Sequence, residues 1–119
     1  MQRLNSVNPQ VAQGRPRELL DTVQQAFGMI PNVAKVMANS PAVLESFLAF
    51  STAMGAVKIG GKLHNQVKLA TSETNSCDYC TSILSAVAPA AGLSAADILT
   101  GRTCNSTDHR TMAALAFAH

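Results

Sequence analysis

Two cysteines separated by two residues, Cys77 and Cys80, are the residues of this chain whose types and spacing best support chemistry. The residues after them favour helix, so both thiols are expected at a helix start, with Ser76 as the predicted N-cap. A helix N-terminus carries partial positive charge, which lowers the pKa of a nearby thiol and raises its thiolate fraction. Because residues three apart share a helix face, the two sulfurs can also reach each other and form a disulfide. The spacing therefore predicts a redox-active dithiol.

A zinc site and a pair of inert buried thiols are the alternatives for this motif. Structural zinc takes about four ligands, and the chain has no second Cys-x-x-Cys. Cys104 and His109 could complete a Cys₃His set only through a long spacer, and Cys104 lies in a loop-like Gly-Arg-Thr-Cys-Asn-Ser run. We therefore predict that the chain needs no metal and no bound cofactor, and that Cys104 is a thiol outside the site.

Composition favours a helical protein that associates with copies of itself. The 119 residues are 47% apolar but only 4% aromatic, with no Trp, and much of the apolar content is Ala. Alanine favours helix but buries little area, and only 13% of residues are charged, so we expect a homo-oligomer.

The nine Lys and Arg are scattered along the sequence, which argues against binding of nucleic acid. No apolar run resembles a signal peptide or a membrane span, so we expect a soluble, cytoplasmic protein. In the cytoplasm a Cys-x-x-Cys motif is more often catalytic than structural.

Glycine and proline divide the chain into helical lengths. Residues 1–15 are polar and predict an extended or loosely ordered N-terminal arm, and residues 16–119 predict one helical domain. No segment shows the alternation of a strand, so the predicted fold class is all-α, a multi-helical bundle. Pro89 is expected to kink or shorten the helix that follows the cysteines, Ser94 to Asp97 to form a capping box, and Gly101 to end the next helix. The predicted helices cover about residues 16–27, 33–38, 41–54, 63–74, 77–91, 95–100 and 108–119.

Several stretches together resemble one protein family. They are residues 28–33, 36–44, 67–70, 75–80 and 90–94. Their sequence is similar to the alkylhydroperoxidase (AhpD-like) branch of the carboxymuconolactone decarboxylase family, over roughly residues 15 to 119. The resemblance implies an all-helical bundle with the Cys pair at the N-terminus of a central helix, homo-oligomers, and reduction of a hydroperoxide substrate. It also implies that an external dithiol or thioredoxin-like reductant restores the thiols.

The same resemblance implies an order of reaction for the two catalytic thiols. Cys80 attacks the peroxide oxygen and becomes a sulfenic acid, and Cys77 condenses with it to a disulfide. Position in the helix, taken alone, favours Cys77 as the more activated thiol. Both orders remain open at this stage.

Two positions depart from the family pattern, which places a Glu twelve residues before the first Cys and a His four residues after the second. Asn65 and Leu84 stand there instead, and neither can relay a proton. Glu73, four residues before the Cys pair, and His64, next to Asn65, are the candidate auxiliary residues. The alternative is that Glu73 is a solvated charge at a helix end and His64 a surface residue.

These observations support three interpretations of function. The leading one is a thiol-dependent, alkylhydroperoxidase-like peroxidase, weakened by loss of the usual Glu and His. The second is a helical oligomerisation or binding protein of the same fold with impaired catalysis, and the third, less favoured because the Cys pair is intact, is a lactone decarboxylase. Family members continue beyond residues 113–118, so we also expect that the chain is either naturally short or a piece of a longer one.

Overall fold

The computed structural model describes residues 2–119 and confirms the all-α prediction, with no strand in that range. Seven α-helices and one 3₁₀ turn form two compact units, residues 2–54 and Gly55–His119. The helices are α1 (Arg15–Phe27), α2 (Asn32–Met37), α3 (Pro41–Met54), α4 (Gly61–Thr74), α5 (Asp78–Val87), α6 (Ala95–Thr103) and α7 (His109–Ala118). No described helix is both long and apolar enough to cross a membrane.

The first unit is built from α1, α2 and α3 around a small aliphatic core. Gly28 ends α1 in the left-handed conformation (φ 73°), as the sequence predicted, since glycine adopts positive φ without steric cost. The segment predicted as an arm contains no helix before Arg15, but Val7 and Ala12 pack against the core, and the Val7 amide donates to the carbonyl of Lys35. The buried core residues are Leu19, Leu20, Val23, Ala34, Ala38 and Leu44.

The second unit is organised by α4, which packs against α5, α6 and α7. Its buried residues, chiefly Leu63, Gln66, Leu69 and Ala70, recur at helical spacing and face these three neighbours. Between α5 and α6 the chain makes a 3₁₀ turn over Ala88–Ala91, which contains Pro89 and confirms that this proline shortens the helix.

The boundaries of α6 give one confirmation and one correction. Its N-terminus carries the predicted capping box: the Ser94 hydroxyl accepts the Asp97 amide, and the Asp97 carboxylate accepts the Ser94 amide. The prediction that Gly101 ends this helix is wrong, because α6 continues to Thr103. Gly101 is buried inside the helix, where a Cβ would lie 3.0 Å from the Cα of Gln66 on α4. This glycine therefore permits close packing of two helices.

Candidate active site

The two cysteines of the motif are joined in a disulfide at the start of α5. The sulfurs are 2.02 Å apart and the Cα atoms 5.2 Å apart, so the predicted disulfide-forming pair is confirmed. Cys77 is the N-cap residue of α5, and Cys80 lies in the first helical turn. The amide of Cys80 donates a hydrogen bond of 3.3 Å to the Sγ atom of Cys77. The cysteine sulfur thus takes the place that a serine or aspartate oxygen usually occupies at a helix N-terminus.

The predicted N-cap, Ser76, is wrong by one residue, and the reason is the shortness of the connection from α4. Ser76 adopts a left-handed conformation (φ 51°), and its amide donates to the carbonyl of Glu73. The amide of Cys77 donates to the carbonyl of Ser72. These two bonds are the Schellman pattern that satisfies the last carbonyls of a helix. Because Ser76 ends α4, the next residue, Cys77, is the N-cap of α5.

A cleft of about 310 Å³ opens beside this helix start. One wall is the polar face of α5, which carries Asp78, Thr81, Ser82 and Ser85 at the i, i+3, i+4, i+7 spacing of a helical stripe. Cys77 lines the cleft, whereas Cys80 does not. At about 100° per residue, Cys80 lies on the opposite face of α5. Cys77 is therefore the cysteine of the pair that lines the cleft.

The opposite wall of the cleft holds an ion pair between two helices. Glu73, in the last turn of α4, and Arg102, near the end of α6, both line the cleft. The Nε atom of Arg102 donates to Oε1 of Glu73, and the Glu73 side chain is 32% exposed. The structure thus brings one predicted auxiliary residue, Glu73, into the same cleft as Cys77. Sequence reasoning missed Arg102, because nothing local marks an arginine in α6 as the partner of a glutamate 29 residues earlier.

The other predicted auxiliary residue, His64, does not line this cleft. It lies nine residues before Glu73 on α4, which corresponds to about 13 Å along the helix axis. Burial lowers the pKa of His64, and the charge of Lys68 lowers it further. Both effects favour the neutral imidazole, but the structure gives this group no place beside Cys77.

The two positions that depart from the family pattern, Asn65 and Leu84, lie on α4 and α5. The side-chain amide of Asn65 donates to the carbonyl of Gly61, one turn earlier on α4, at 2.8 Å. Leu84 is half-buried, one turn after Cys80 and on the same side of α5. The side of α5 that holds Cys80 therefore lacks the relay that the family pattern would supply.

Cys104 stands apart from the disulfide pair. It is the C-cap residue of α6, in a left-handed conformation (φ 51°), and its thiol is free. Burial raises the pKa of this thiol, and the negative charge of Glu73 raises it further. Within residues 2–119 no three His, Cys, Asp or Glu side chains are grouped so that they could hold a metal ion.

Comparison of the chain with protein-family models, with characterised proteins and with solved structures finds no match. What can be said of function therefore depends on the disulfide, the cleft and the residues that line it.

Proposed function

We propose that this protein is a thiol-dependent peroxidase of the AhpD-like type, which reduces hydroperoxides through a Cys77/Cys80 dithiol–disulfide cycle. The observation that carries the proposal is the disulfide at a helix N-terminus, one sulfur of which faces a polar cleft that also holds a carboxylate. A helix start favours the thiolate, which is the reactive form of cysteine. The resemblance of the chain to the alkylhydroperoxidase branch supports a peroxide as the oxidant.

The cycle balances without a metal or an organic cofactor. One thiol reduces the hydroperoxide to an alcohol and becomes a sulfenic acid, and the second thiol condenses with it, so that the disulfide forms and water leaves. An external dithiol, such as a thioredoxin-like protein, then reduces the disulfide by two thiol–disulfide exchanges. Each turn therefore consumes one hydroperoxide and oxidises one dithiol.

A second candidate function is a helical oligomerisation or binding protein in which turnover is impaired. Two observations favour it: Asn65 is bonded within its own helix where the family pattern has Glu, and large aromatic side chains are exposed to solvent. Phe50 is 66% exposed and Phe117 is 95% exposed. Exposed aromatic side chains are common at surfaces that bind other proteins.

Peroxide consumption separates the two functions. The protein is incubated with hydrogen peroxide and dithiothreitol, and peroxide loss is measured beside Cys77→Ser, Cys80→Ser and Cys104→Ser variants. A peroxidase of the proposed type gives multiple turnovers that either substitution in the pair abolishes, while Cys104→Ser turns over like the parent. If the folded, reduced parent protein consumes peroxide no faster than dithiothreitol alone, the peroxidase is contradicted. The binding protein is then the better interpretation.

A further inference from the structure

One cysteine of the disulfide lines the cleft and the other does not, and this difference bears on which thiol reacts first. Cys77 lines the cleft, and Cys80 lies on the other face of α5. We propose that Cys77, not Cys80, attacks the hydroperoxide, and that Glu73 is the catalytic residue that accepts and returns the proton. This inference rests on the proposed function, and it reverses the order that the family resemblance implies.

The backbone around Cys77 favours its thiolate. Its Sγ atom accepts the amide of Cys80, so it receives one of the free N–H groups at the start of α5. A hydrogen bond to the charged form of a group, together with the partial positive charge of the helix start, stabilises that form. Cys80 supplies the donor in this bond and receives no corresponding backbone bond in the described structure.

The carboxylate of Glu73 is the proton acceptor within this cleft. Its Oε1 atom accepts from Arg102, which fixes the side chain across the gap between α4 and α6. No described side chain other than Arg102 donates to this carboxylate, and that bond is to Oε1 and not to Oε2. Arg102 acts through Glu73 and is a positioning residue. Asp78, the other carboxylate of the cleft, lies in the exposed first turn of α5 and has no such fixed partner.

The proposed step balances in atoms and electrons. The Cys77 thiol gives its proton to Glu73, and the thiolate attacks the terminal peroxide oxygen, so that an S–O bond forms as the O–O bond breaks. The departing alkoxide takes the proton back from Glu73 and leaves as an alcohol. Cys80 then attacks the sulfenic sulfur of Cys77, the S–S bond forms, and the hydroxide leaves as water with the proton of Cys80. Sulfur is oxidised and peroxide oxygen is reduced, by two electrons each.

Single-cysteine proteins test the order of attack. Cys80→Ser/Cys104→Ser keeps only Cys77, and Cys77→Ser/Cys104→Ser keeps only Cys80. Each reduced protein is treated with one equivalent of hydrogen peroxide, and sulfenic acid is trapped with dimedone and quantified by mass spectrometry. We expect the Cys77-only protein to form the adduct faster by about tenfold or more, within the range that acid–base assistance supplies. Faster adduct formation by the Cys80-only protein would overturn the inference and leave the peroxidase in place.

Alkylation by iodoacetamide keeps the two proposals distinguishable, because it reports thiolate reactivity without peroxide. If Cys77 is alkylated faster than Cys80 but neither single-cysteine protein reduces peroxide, the peroxidase is contradicted. The catalytic role of Glu73 is then contradicted as well. If Cys80 alkylates faster, the assignment of Cys77 as the attacking thiol is wrong whatever the peroxide assay gives.

Glu73→Gln in the Cys77-only protein tests the proton transfer. Adduct formation should slow by about tenfold or more beyond any slowing of alkylation, because both reactions need the Cys77 thiolate but only the peroxide reaction needs a proton for its leaving group. Equal slowing of both reactions would contradict the return of the proton to the alkoxide, and unchanged adduct formation would contradict the catalytic role. The matched control is Glu45→Gln, which also breaks an ion pair between a glutamate and an arginine, here Arg15, but lies outside the cleft. This control should leave both rates unchanged.

Discussion

The close approach of α6 to α4 at Gly101 predicts the sign and size of the stability change caused by Gly101→Ala. A Cβ atom added at Gly101 would lie 3.0 Å from the Cα and 3.1 Å from the carbonyl oxygen of Gln66, and 3.2 Å from the Cβ of Leu69. The first two neighbours are backbone atoms of α4 and cannot move without moving the helix. Gly101→Ala should therefore push α6 away from α4.

Two opposing effects, overpacking and helix propensity, determine how much Gly101→Ala changes the free energy of unfolding. Overpacking a well-packed core costs about 1–3 kcal/mol, and contact with rigid backbone places this site in the upper half of that range. Alanine is better than glycine inside a helix by about 1 kcal/mol, which offsets part of the loss. We therefore expect Gly101→Ala to lower the free energy of unfolding by about 1–2 kcal/mol. Each kcal/mol lowers the melting midpoint of a domain of 60–100 residues by about 4–8 °C.

Urea denaturation followed by circular dichroism measures the change, and Gly61→Ala is the matched control. Gly61 is the first residue of α4, and a Cβ there would meet no atom within 4 Å. This control should be neutral or stabilising by a few tenths of a kcal/mol, because only the propensity term acts. If Gly101→Ala were as stable as Gly61→Ala, the tight contact between α4 and α6 would be refuted.

The same substitution should also reach the cleft. Arg102 follows Gly101 directly, and its guanidinium holds Glu73 across the gap between the two helices. Displacing α6 by a few tenths of an ångström loosens this ion pair without touching either cysteine. In the Cys77-only protein, we expect folded Gly101→Ala to form sulfenic acid more slowly than Gly61→Ala, and its alkylation rate to change less.

Three further predictions concern other features of the chain. Hydrogen bonds from Lys62 and from the amide and hydroxyl of Ser94 lower the pKa of Asp97 to about 2, from 3.8. Because the folded state favours the carboxylate, the stability that Asp97 adds is present above pH 4 and lost as the pH falls through about 2. The difference in unfolding free energy between the parent and Asp97→Ala should therefore shrink over that interval. Cys104, whose pKa burial raises, should stay free after mild oxidation, and mass spectrometry should find only the Cys77–Cys80 bridge. A Cys104 bridge would contradict this. Light scattering at micromolar concentration should give at least twice the 12.5 kDa of one chain, and a monomer at all concentrations would refute assembly.

Helix boundaries set by local chemistry were predictable from the sequence. Gly28 ends α1, Pro89 shortens α5, and Ser94 with Asp97 caps α6, as expected. In each case one or two residues within a single turn determine the conformation: a residue tolerant of positive φ, a missing amide, or a side-chain acceptor. The pair Cys77 and Cys80 belongs to the same group, because spacing within one turn is enough to bring the sulfurs together.

Features that depend on two helices at once were not predictable. Gly101 is a typical helix terminator, and only the packing of α4, where a Cβ at this position would lie 3.0 Å from the Cα of Gln66, shows why it lies inside α6. Ser76 is a typical N-cap, but in the structure it ends α4. Arg102 becomes part of the site only because α6 packs beside the last turn of α4. The sequence therefore pointed to the two cysteines and to Glu73, which lies in the cleft with Cys77, but not to the arginine that pairs with this glutamate.

The connection between α4 and α5 holds the backbone on which the two cysteines lie. The amides of Ser76 and Cys77 are held by the carbonyls of Glu73 and Ser72, so the position of Cys77 is fixed by the end of α4. Its sulfur is then the acceptor for the amide of Cys80, and this contact does not require the S–S bond. The bonds that hold Ser76 and Cys77 are between amides and carbonyls, so we expect them to persist when the disulfide is reduced. A backbone that stays ordered in both redox states would lower the entropic cost of closing the disulfide in the proposed cycle.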